Sequence, residues 1–414
     1  MKMENGDATA FRVELNLGDV MKINVIGGGP AGLYFAILMK RRDPSREIIV
    51  VERDGPDDTF GWGIVFSDQT FSYLEEGDTP SFQQITGACE VWDNVDIVHK
   101  GERVTIRGNR FSGIGRLKFL NILHERCREL GVDLWFGANV TDVEPYRDCD
   151  LMVGADGANS AVRRAYQDFF KPSIDVRKNK YIWLGTNRLF QGLTLTFREN
   201  KAGHFIAHSY KFDGATSAFI VECDEATWRN AGFENKNEAE TCEYLQRVFE
   251  EDLDGHKLLT KNFVRWINFP LVRNQNWRHE NIVLLGDALH TAHFSIGSGT
   301  KLALEDSIAL AKCFAEQSGV TAALQEFERT RRPVVEALQD AAFSSLLMLE
   351  NIAEDWGLEP LPFAHKMMTR SGRVTHEKLK KRDPEFAVAY EEWRRRSEEN
   401  PQSQSHNPQS NVAS

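Results

Sequence analysis

The first clear hydrophobic pattern along the chain is a short strand that leads into a glycine-rich turn. Residues 22–26 (Lys-Ile-Asn-Val-Ile) form an apolar run typical of a buried strand, and glycines fill most of the turn at 27–32. Residues 33–40 contain neither glycine nor proline, so they predict a helix. A second β-branched run at 47–51 completes a βαβ unit, which typically spans ~30 residues.

The same alternation of strands and helices returns farther along the chain. Apolar residues recur at helical spacing in 116–130, and a strand pattern follows at 132–136. Two further short apolar runs, 150–153 and 281–285, each lead into a turn that contains aspartate and glycine. We therefore predict one parallel α/β domain of Rossmann-like architecture whose parts are separated in the sequence.

The region between these parts has a different pattern. From about residue 181 to 270, aromatic and alternating stretches predict an antiparallel sheet, with one short helix near 235–250. A long helical pattern begins near residue 300 and continues past Pro333 to about residue 350. The predicted fold class is an α/β domain with an inserted antiparallel β-sheet domain and a helical C-terminal region. In residue numbers, the prediction is a leader (1–20), the α/β domain (21–170 and 268–340), the inserted β domain (171–267), the helical region (341–396) and a disordered tail (397–414).

The composition restricts the classes of function. The chain has 414 residues, of which 41% are hydrophobic and 27% are charged, as in a globular enzyme. Its 50 lysines and arginines against 61 aspartates and glutamates give a formal net charge of -11. Because this balance repels nucleic acid and anionic membrane surfaces, neither is an expected partner.

The cysteines and the N-terminal residues bear on the compartment. Six cysteines are scattered without CxxC spacing, so the sequence predicts no disulfide framework and no metal site. The first twenty residues contain four acidic side chains and no apolar segment, and no apolar run approaches the ~20 residues of a membrane span. We expect no signal peptide, no transmembrane helix and a cytoplasmic location.

The glycine-rich turn has the spacing of a dinucleotide-binding fingerprint. Gly27 can make the tight turn, Gly29 can let a pyrophosphate approach the backbone, and Gly32 can allow close packing of helix and strand. The helix that follows offers unpaired N–H groups to the phosphates. Glu52, at the end of the second strand, can accept hydrogen bonds from a ribose. The alternative interpretation is a glycine-rich turn beside a surface glutamate.

Two further motifs indicate which dinucleotide the chain holds. Gly-Ala-Asp-Gly at 154–157 and Gly-Asp-Ala-Leu-His at 286–290 each follow a short apolar strand, and a nicotinamide dehydrogenase domain needs neither. Together with the fingerprint, they resemble the group A flavin-dependent aromatic monooxygenases, the class typified by para-hydroxybenzoate hydroxylase, over about residues 21–340. The resemblance implies an enzyme that binds FAD, consumes NAD(P)H and O2, and hydroxylates an electron-rich aromatic ring through a flavin C4a-hydroperoxide. It leaves the oligomeric state open between monomer and homodimer.

The resemblance also implies roles for single residues. Glu52 would hold the adenosine ribose of FAD, and Arg116 would lie near the flavin phosphates or ribityl chain. Asp156 belongs to a motif that the family shares between FAD and the nicotinamide cofactor, and Asp287 would bind the ribityl or phosphate region. A solvated arginine and two turn-forming aspartates are the alternatives. The full set of cofactor-binding candidates is Gly27, Gly29, Pro30, Ala31, Gly32, Glu52, Arg53, Arg116, Val140, Asp156, Asp287, Gly299 and Thr300.

The stretch 297–301 (Gly-Ser-Gly-Thr-Lys) opens the long helix. The resemblance implies that its backbone N–H groups and the positive end of the helix dipole face the pyrimidine edge of the flavin and stabilise its reduced anion. The chain departs from the commoner family pattern at His293-Phe294, where two prolines are usual, and at Lys301, where an asparagine is usual. Lys301, as a charge near the flavin, and His293, as a hydrogen-bonding or proton-transfer group, are the catalytic candidates. A solvated lysine and a backbone-satisfied histidine are the alternatives.

Three runs narrow the resemblance. Residues 61–68 (Gly-Trp-Gly-Ile-Val-Phe-Ser-Asp), 290–306 and 363–379 are similar to the subgroup that hydroxylates aromatic acyl-CoA thioesters, which includes salicylyl-CoA 5-hydroxylase and the monooxygenase part of 2-aminobenzoyl-CoA monooxygenase/reductase. The implied substrate is a small aromatic molecule, held as a CoA thioester. A branch that hydroxylates free or carrier-bound tryptophan or indole shares the Gly-Trp-Gly loop and is the alternative. A protein that binds FAD without oxygenating anything is a third hypothesis.

The candidates for substrate binding lie on the inserted sheet and beside the long helix. His208 and Tyr210 share one face of a strand by the period of two, and Trp183 lies on another predicted strand. Phe294 follows His293 near the flavin. Core or opposite-face positions are the alternative for each of them.

Basic residues near the C-terminus are candidates for binding the phosphates of coenzyme A. A solvated helix face is the alternative. The set comprises Lys378, Lys380, Lys381, Arg382, Arg370 and Arg373.

Overall fold

The structure is a computed structural model that describes residues 20–260 and 265–399. The strands are β1 (Lys22–Ile26), β2 (Glu47–Val51), β3 (Gly63–Ser67), β4 (Glu90–His99), β5 (Glu102–Gly115), β6 (Asp133–Trp135), β7 (Leu151–Gly154), β8 (Pro172–Thr186), β9 (Leu193–Asn200), β10 (Gly203–Lys211), β11 (Ser217–Cys223), β12 (Leu258–Leu259), β13 (Ile267–Asn274), β14 (Arg278–His279) and β15 (Ile282–Leu284). The helices are α1 (Pro30–Arg42), α2 (Asp68–Gly77), α3 (Thr79–Gly87), α4 (Arg116–Leu130), α5 (Ala161–Ala165), α6 (Gln167–Phe170), α7 (Glu225–Asn230), α8 (Glu238–Val248), α9 (Glu250–Leu253), α10 (Gly299–Glu316), α11 (Val320–Glu350), α12 (Pro360–Thr369), α13 (His376–Arg382) and α14 (Pro384–Glu399).

The predictions for the two ends fall largely outside the described residues. Of the predicted leader, residues 1–19 lie outside them, and of the predicted tail, residues 400–414 do. Helix α14 continues to Glu399, so the last helix reaches three residues into the stretch that was predicted as tail.

A six-stranded sheet with the order β14-β15-β7-β1-β2-β6 forms the first layer. All neighbouring strands in it are parallel except the edge strand β14, which pairs antiparallel with β15. The central strands β1, β2, β7 and β15 are largely apolar and mostly buried, as parallel strands covered by helices must be. Their carboxyl ends meet at one edge, which is where ligands bind in folds of this kind.

A second, nine-stranded sheet has the order β12-β8-β11-β10-β9-β4-β5-β3, with β13 paired to β8. Every pairing is antiparallel except that of β4 with β9. Strands β3, β4 and β5 come from the sequence range predicted as the α/β domain, so the sheet joins residues from both predicted domains. The division into domains stays a prediction, whereas the predicted fold class, an α/β domain with an antiparallel sheet and a helical C-terminal region, is confirmed.

The two faces of the second sheet are buried against different partners. Alternate residues such as Phe205 and Phe219 pack under α8 and α9. The opposite face carries His208, Tyr210 and Ile220, and the strand register puts His208 opposite Ile220. His208 and Tyr210 therefore lie on one face, as the period of two predicts.

The C-terminal helices extend the layer on that second face. Leu349 of α11 and Phe363 and Met367 of α12 pack against Phe197 and Ile206 of the sheet. Helix α11 is 31 residues long and contains a proline in its interior. Across residues 20–260 and 265–399, none of the helices is both long and apolar enough to span a bilayer.

Arg163 joins the two Asp-Gly and Gly-Asp loops that follow β7 and β15. Its side chain is fully buried, and the guanidinium donates to the carbonyl oxygen of Ala288 at 2.7 Å and to that of Ala158. Both loops leave the carboxyl edge of the parallel sheet. A buried cation with backbone acceptors thus fixes their spacing.

We predict that Arg163→Gln lowers the free energy of unfolding by about 2–3 kcal/mol, because it leaves two buried carbonyl groups without their charged donor. Urea denaturation measures this loss. Arg164→Gln is the matched control, since the side chain of Arg164 is exposed. It should change the free energy of unfolding by less than about 0.5 kcal/mol. Equal effects of the two substitutions would contradict the role assigned to Arg163.

Candidate active site

The glycine turn after β1 leaves no room for side chains at two positions and open space at a third. A Cβ on Gly27, whose φ is +113°, would lie 2.2 Å from the carbonyl oxygen of Ala155. A Cβ on Gly32 would lie 2.1 Å from the carbonyl oxygen of Gly27. Gly29 has no atom within 4 Å of such a Cβ. Close packing therefore requires glycine at positions 27 and 32, whereas Gly29 faces the space where a pyrophosphate can approach the backbone.

The N-terminus of α1 begins beside this open space. Pro30 and Ala31 are buried in its first turn, Gly29 provides no side-chain cap, and the first turn contains no acidic residue. The first N–H groups of the helix are therefore free of intrachain side-chain acceptors, which suits an anion.

Glu52 is held in a fixed orientation at the end of β2. Its Oε2 accepts from the backbone N–H of Gly28 at 2.6 Å, and its Oε1 accepts from that of Asp54 at 3.0 Å. Arg53 beside it is exposed and pairs with Asp54, and Val140 packs half-buried against the core of the α/β domain. The carboxylate lies next to the glycine turn, as a ribose-binding group requires.

Asp287 and Arg116 come from different sheets and interact across a cleft. Asp287 is accessible from this cleft, yet the surrounding protein raises the pKa of its carboxyl, and Arg116 and His290 oppose that rise. Burial lowers the pKa of the Arg116 guanidinium, with Asp287 acting in the opposite direction. Within the described part of the chain, Nε of Arg116 is buried and has no hydrogen-bond partner. A buried cationic donor without an acceptor fits a phosphate or ribityl oxygen of a bound cofactor.

Asp156 has a structural partner of its own. Its Oδ2 accepts from the backbone N–H of Ala161 at 2.6 Å and from that of Val162 at 3.3 Å, which caps α5. Its Oδ1 is buried and has no partner among the described residues. Asp156 thus orders the turn, while its Oδ1 remains available to a further donor. The role of Asp156 toward a cofactor stays a prediction.

The loop before α10 resembles the turn before α1. Gly297 is left-handed, with a φ of +61°, and neither it nor Gly299 has an atom within 4 Å of an added Cβ. Ser298 occupies the N-cap position but makes no side-chain cap hydrogen bond. The N–H groups at the start of α10, including those of Gly299 and Thr300, therefore lack a side-chain acceptor, as stabilisation of an anionic ring edge requires.

Lys301 does not carry an isolated charge. Its ammonium pairs with Glu305 one turn along α10, and the second oxygen of Glu305 accepts from Arg331 at 2.9 Å. Arg331 also donates to Asp306 at 2.8 Å, and Asp306 lies 2.8 Å from His290. Within this network Lys301 and Arg331 are balanced by Glu305 and Asp306, so Lys301 adds no isolated positive charge at the start of α10.

His293 is part of a second buried cluster under the sheet. Burial lowers the pKa of His293 to about 4 although Glu222 opposes the change, and its Nδ1 accepts from the backbone N–H of Ser295. Burial raises the pKa of Glu222, but His208, His293 and Asn179 outweigh it and hold the pKa low. His208 Nε2 lies 3.3 Å from Glu222 Oε2, and Asn179 donates to Oε1 at 3.2 Å. His293 is uncharged at neutral pH, and Glu222 is an ionised carboxylate.

Aromatic rings line the region between these histidines and α10. The ring of Phe294 lies 4.8 Å from that of Tyr181 and 5.4 Å from that of His208. Trp183 packs its face on Gly61, where an added Cβ would lie 2.8 Å from the indole. Tyr210 donates its hydroxyl to the carbonyl oxygen of Gly63 at 2.8 Å. The four predicted substrate-binding residues thus lie on one face of the sheet or against it.

Several residues of this region were not predicted from the sequence. Tyr181 could have been found, because it precedes Trp183 by two positions on one strand. Glu222 gave no signal, because its neighbours His208 and Asn179 come from other strands. Arg163 likewise resembled an ordinary helix residue.

The basic residues near the C-terminus are used in several ways. Arg370 points inward and donates to Ser295, Lys380 pairs with Glu391, and Arg382 donates to Asn109. A common phosphate site for the set is therefore not built in this structure.

The open backbone at Gly29 and the two uncapped helix starts have the features of a dinucleotide-binding site. The chain matches the family described as FAD binding domain over residues 20–342. It is 39% identical over 384 residues to salicyloyl-CoA 5-hydroxylase of a Streptomyces species, covering 90% of this chain and 74% of that protein. The chain belongs to this FAD-binding family, and it is an FAD-dependent aromatic monooxygenase.

Two other relatives agree with this assignment, and a solved structure agrees with the fold. Protodeoxyviolaceinate monooxygenase of Chromobacterium violaceum is 33% identical, covering 84% of this chain and 94% of that protein. The 3-hydroxy-4-methyl-anthranilyl-[aryl-carrier protein] 5-monooxygenase of Streptosporangium sibiricum is 36% identical, covering 77% and 86%. The fold matches that of 2-methyl-3-hydroxypyridine-5-carboxylic acid oxygenase with a TM-score of 0.65 at 18% identity, covering 88% of this chain and 96% of that one.

The residues present fit FAD. The open backbone at Gly29, the unpartnered Nε of Arg116 and the uncapped start of α10 are the groups that would meet its pyrophosphate, its ribityl region and its pyrimidine edge. The prediction of FAD as the cofactor is confirmed by the family, and so is the prediction of a flavin-dependent monooxygenase. The assignments of single residues to FAD stay predictions.

We predict that two glycine substitutions in the fingerprint affect different quantities, one the affinity for FAD and the other the stability of the fold. Gly29→Ala should leave the free energy of unfolding of the FAD-free protein within about 0.5 kcal/mol of wild type and weaken FAD binding at least tenfold, or about 1.4 kcal/mol, because its methyl enters only the cofactor space. Gly32→Ala should lower the free energy of unfolding by about 1–3 kcal/mol through overpacking. Urea denaturation and titration of FAD fluorescence measure the two quantities. Normal FAD affinity in the Gly29→Ala variant would contradict the site.

We also predict that His293 makes the protein less stable as the pH falls. Because its pKa in the folded state is about 4, below the ordinary value near 6.5, its contribution is complete above pH 6.5 and is lost as the pH falls from about 6.5 to 4. His293→Asn keeps an acceptor near the position of Nδ1 but does not titrate. Between about pH 7 and 4.5 its urea-unfolding free energy should fall by about 2 kcal/mol less than that of wild type. Identical slopes would refute the prediction.

Proposed function

We propose that the enzyme hydroxylates an aromatic ring that carries a hydroxyl or amino group and is presented as an acyl thioester, with coenzyme A as the carrier. The observation that carries the aromatic part is the group of rings around Phe294, a residue of the loop that leads into α10. The thioester part is supported by the similarity over most of the chain to a salicyloyl-CoA hydroxylase and to an aryl-carrier-protein monooxygenase.

The overall reaction would join one oxygen atom to the ring and release the other as water. FAD, reduced by NAD(P)H, supplies the activation of O2 when it is bound. The two electrons and one proton come from NAD(P)H, and a second proton comes from solvent, so that one NAD(P)H is consumed for each hydroxylated product. The protein contributes orientation, charge stabilisation and exclusion of water.

The rings of Tyr181, Trp183 and Phe294 would orient the substrate between the sheet and the start of α10. The loop that contains Gly61 covers the Trp183 indole, and this cover would keep water away from the substrate ring. The N–H groups at Gly299 and Thr300 would stabilise negative charge on the pyrimidine edge of the cofactor.

His208 would interact with the hydroxyl or amino group of the substrate. Its Nε2 lies 3.3 Å from Glu222 Oε2 but outside hydrogen-bond geometry, so the negative charge of Glu222 would favour the ring hydrogen on Nε2 and leave Nδ1 as an acceptor. Nδ1 can then accept the proton of the substituent as the ring becomes more electron-rich. His293, being uncharged, would serve as a neutral neighbour of this pair rather than as a cation.

A hydroxylase of an indole compound is the second candidate function. It is supported by the similarity to protodeoxyviolaceinate monooxygenase, of which the match covers 94%, and by the Gly-Trp-Gly loop at 61–63. The indole N–H would take the place of the phenol or aniline donor.

We further propose that the enzyme is cytoplasmic, in keeping with six free cysteines in the described residues. We propose that it is a monomer or a homodimer.

A substrate panel tests the proposal. Salicyloyl-CoA, 2-aminobenzoyl-CoA, free salicylate, tryptophan and indole are incubated with the FAD-loaded enzyme, NAD(P)H and O2. We expect a mass gain of one oxygen atom with a thioester, at one NAD(P)H oxidised per product, and a kcat/KM at least about 100-fold lower for the free acid.

Three results of the panel would contradict the proposal. Equal turnover of salicylate and its thioester would show that the enzyme does not require coenzyme A as a carrier. Preferred turnover of indole or tryptophan would replace the thioester function by the second candidate. NAD(P)H oxidation that no aromatic compound accelerates, without an oxygenated product, would exclude all five panel compounds as substrates.

A further inference from the structure

The loop from residue 290 to residue 298 carries His293 and Phe294 and ends at the start of α10. Its only regular element is the single 3-10 turn Phe294–Ile296, in which the N–H of Gly297 donates to the carbonyl oxygen of Phe294 at 2.8 Å. A loop of this length has little intrinsic rigidity. Groups from elsewhere in the chain must therefore fix where its rings lie.

Arg370, at the C-terminal end of α12, supplies such a group. Its guanidinium donates from Nε to Ser345 Oγ at 2.8 Å, from one terminal nitrogen to the carbonyl oxygen of Ser295 at 2.6 Å, and from the other to the carbonyl oxygen of Met367. The hydroxyls of Ser295 and Ser345 also lie 2.9 Å apart. One planar side chain thus links the loop, α11 and α12.

This arrangement uses the geometry of arginine rather than its charge alone. A guanidinium presents five N–H donors in a rigid fork, so it can hold three acceptors at fixed angles, which a lysine ammonium on a flexible stem cannot do. Ser295 and Ser345 are both buried. Loss of the fork would leave the carbonyl groups of Ser295 and Met367 and the hydroxyl of Ser345 with fewer partners.

The surroundings also affect the charge of Arg370, which is half-buried. Burial lowers the pKa of Arg370 to about 10, and the carboxylate of Glu222 opposes this effect. Glu222 is the same residue that lies beside His208 in the cluster under the sheet. Arg370 is therefore the cationic counterpart of that cluster, on the side of the C-terminal helices.

Arg370 and Ser345 both lie beyond residue 342, where the match to the FAD-binding family ends. The C-terminal helices accordingly reach the active site through a contact that the family match does not include. We propose that Arg370 is a positioning residue that sets the place of His293 and Phe294, and with them the aromatic-binding surface of the site. Its effect on turnover rests on the proposed function, and its effect on the loop does not.

The experiment compares Arg370→Lys with Arg273→Lys in the full-length, FAD-loaded enzyme. Arg273 is the matched control, because it also contacts α11, through Asp340 at 2.9 Å, but on the surface and without a side-chain hydrogen bond to the loop. Ser345→Ala is a milder second variant that keeps the bond from Arg370 to Ser295. Hydrogen exchange of peptides covering 293–298 is measured without substrate, and KM, kcat and the fraction of NAD(P)H coupled to product are measured with the aromatic substrate found in the panel.

We expect exchange in 293–298 to become about tenfold faster in Arg370→Lys, and less so in Ser345→Ala, while the Arg273→Lys and wild-type enzymes stay equal. KM for the aromatic compound should rise about tenfold and coupling should fall, with FAD affinity within about twofold of wild type. A purely structural role would lower the stability of the whole chain without changing KM or coupling of the folded enzyme.

Two results would overturn the inference. One is unchanged exchange in 293–298 in Arg370→Lys. The other is faster exchange throughout the chain with unchanged KM and coupling. If the wild-type enzyme hydroxylates no compound of the panel, the proposed function fails, and the exchange comparison still decides whether Arg370 fixes the loop.

Discussion

The site depends on how closely the backbone approaches itself at the carboxyl edge of the parallel sheet. The turn at Gly27 lies against the carbonyl of Ala155, Gly286 leaves room for Ala31, and Ser307 of α10 donates to the carbonyl oxygen of Ala31 at 2.8 Å. These contacts bring two helix starts to the same cleft. Because neither start is capped by a side chain, their N–H groups stay available to an anionic cofactor.

Near the start of α10, Lys301 is paired with an opposite charge and His293 is uncharged, which leaves the N–H groups of the helix start as a fixed positive region. Lys301 is compensated by Glu305, and Glu305 in turn is paired with Arg331. His293 is held uncharged by burial, whereas Glu222 keeps its charge behind His208. A preorganised field of this kind costs no reorganisation when negative charge develops on a bound ring. At positions 293 and 301, where the chain departs from the commoner family pattern, the histidine is therefore uncharged and the charge of the lysine is paired.

The sequence predicted the parts of the fold that are local and missed those that are not. Strand β1, helix α1 and strand β2 follow the apolar and glycine pattern closely, because α1 hydrogen bonds within itself and β1 pairs with β2 across that one helix. The pairing of β4 with β9, which joins two distant parts of the chain into one sheet, has no local signal. The same holds for the site: the glycines and Glu52 were recognisable by spacing, whereas Glu222 and Arg370 become significant only through partners far away in the sequence.

A structure of the chain with FAD and an aromatic thioester bound would test the account most directly. It should place the pyrophosphate against the backbone at Gly29, the pyrimidine edge of the flavin against the N–H groups at 299–300, and the aromatic ring beside Phe294 on the face of the sheet that carries His208. A flavin whose ring system lies away from residues 297–301, or an aromatic ring bound on the opposite face of that sheet, would contradict it.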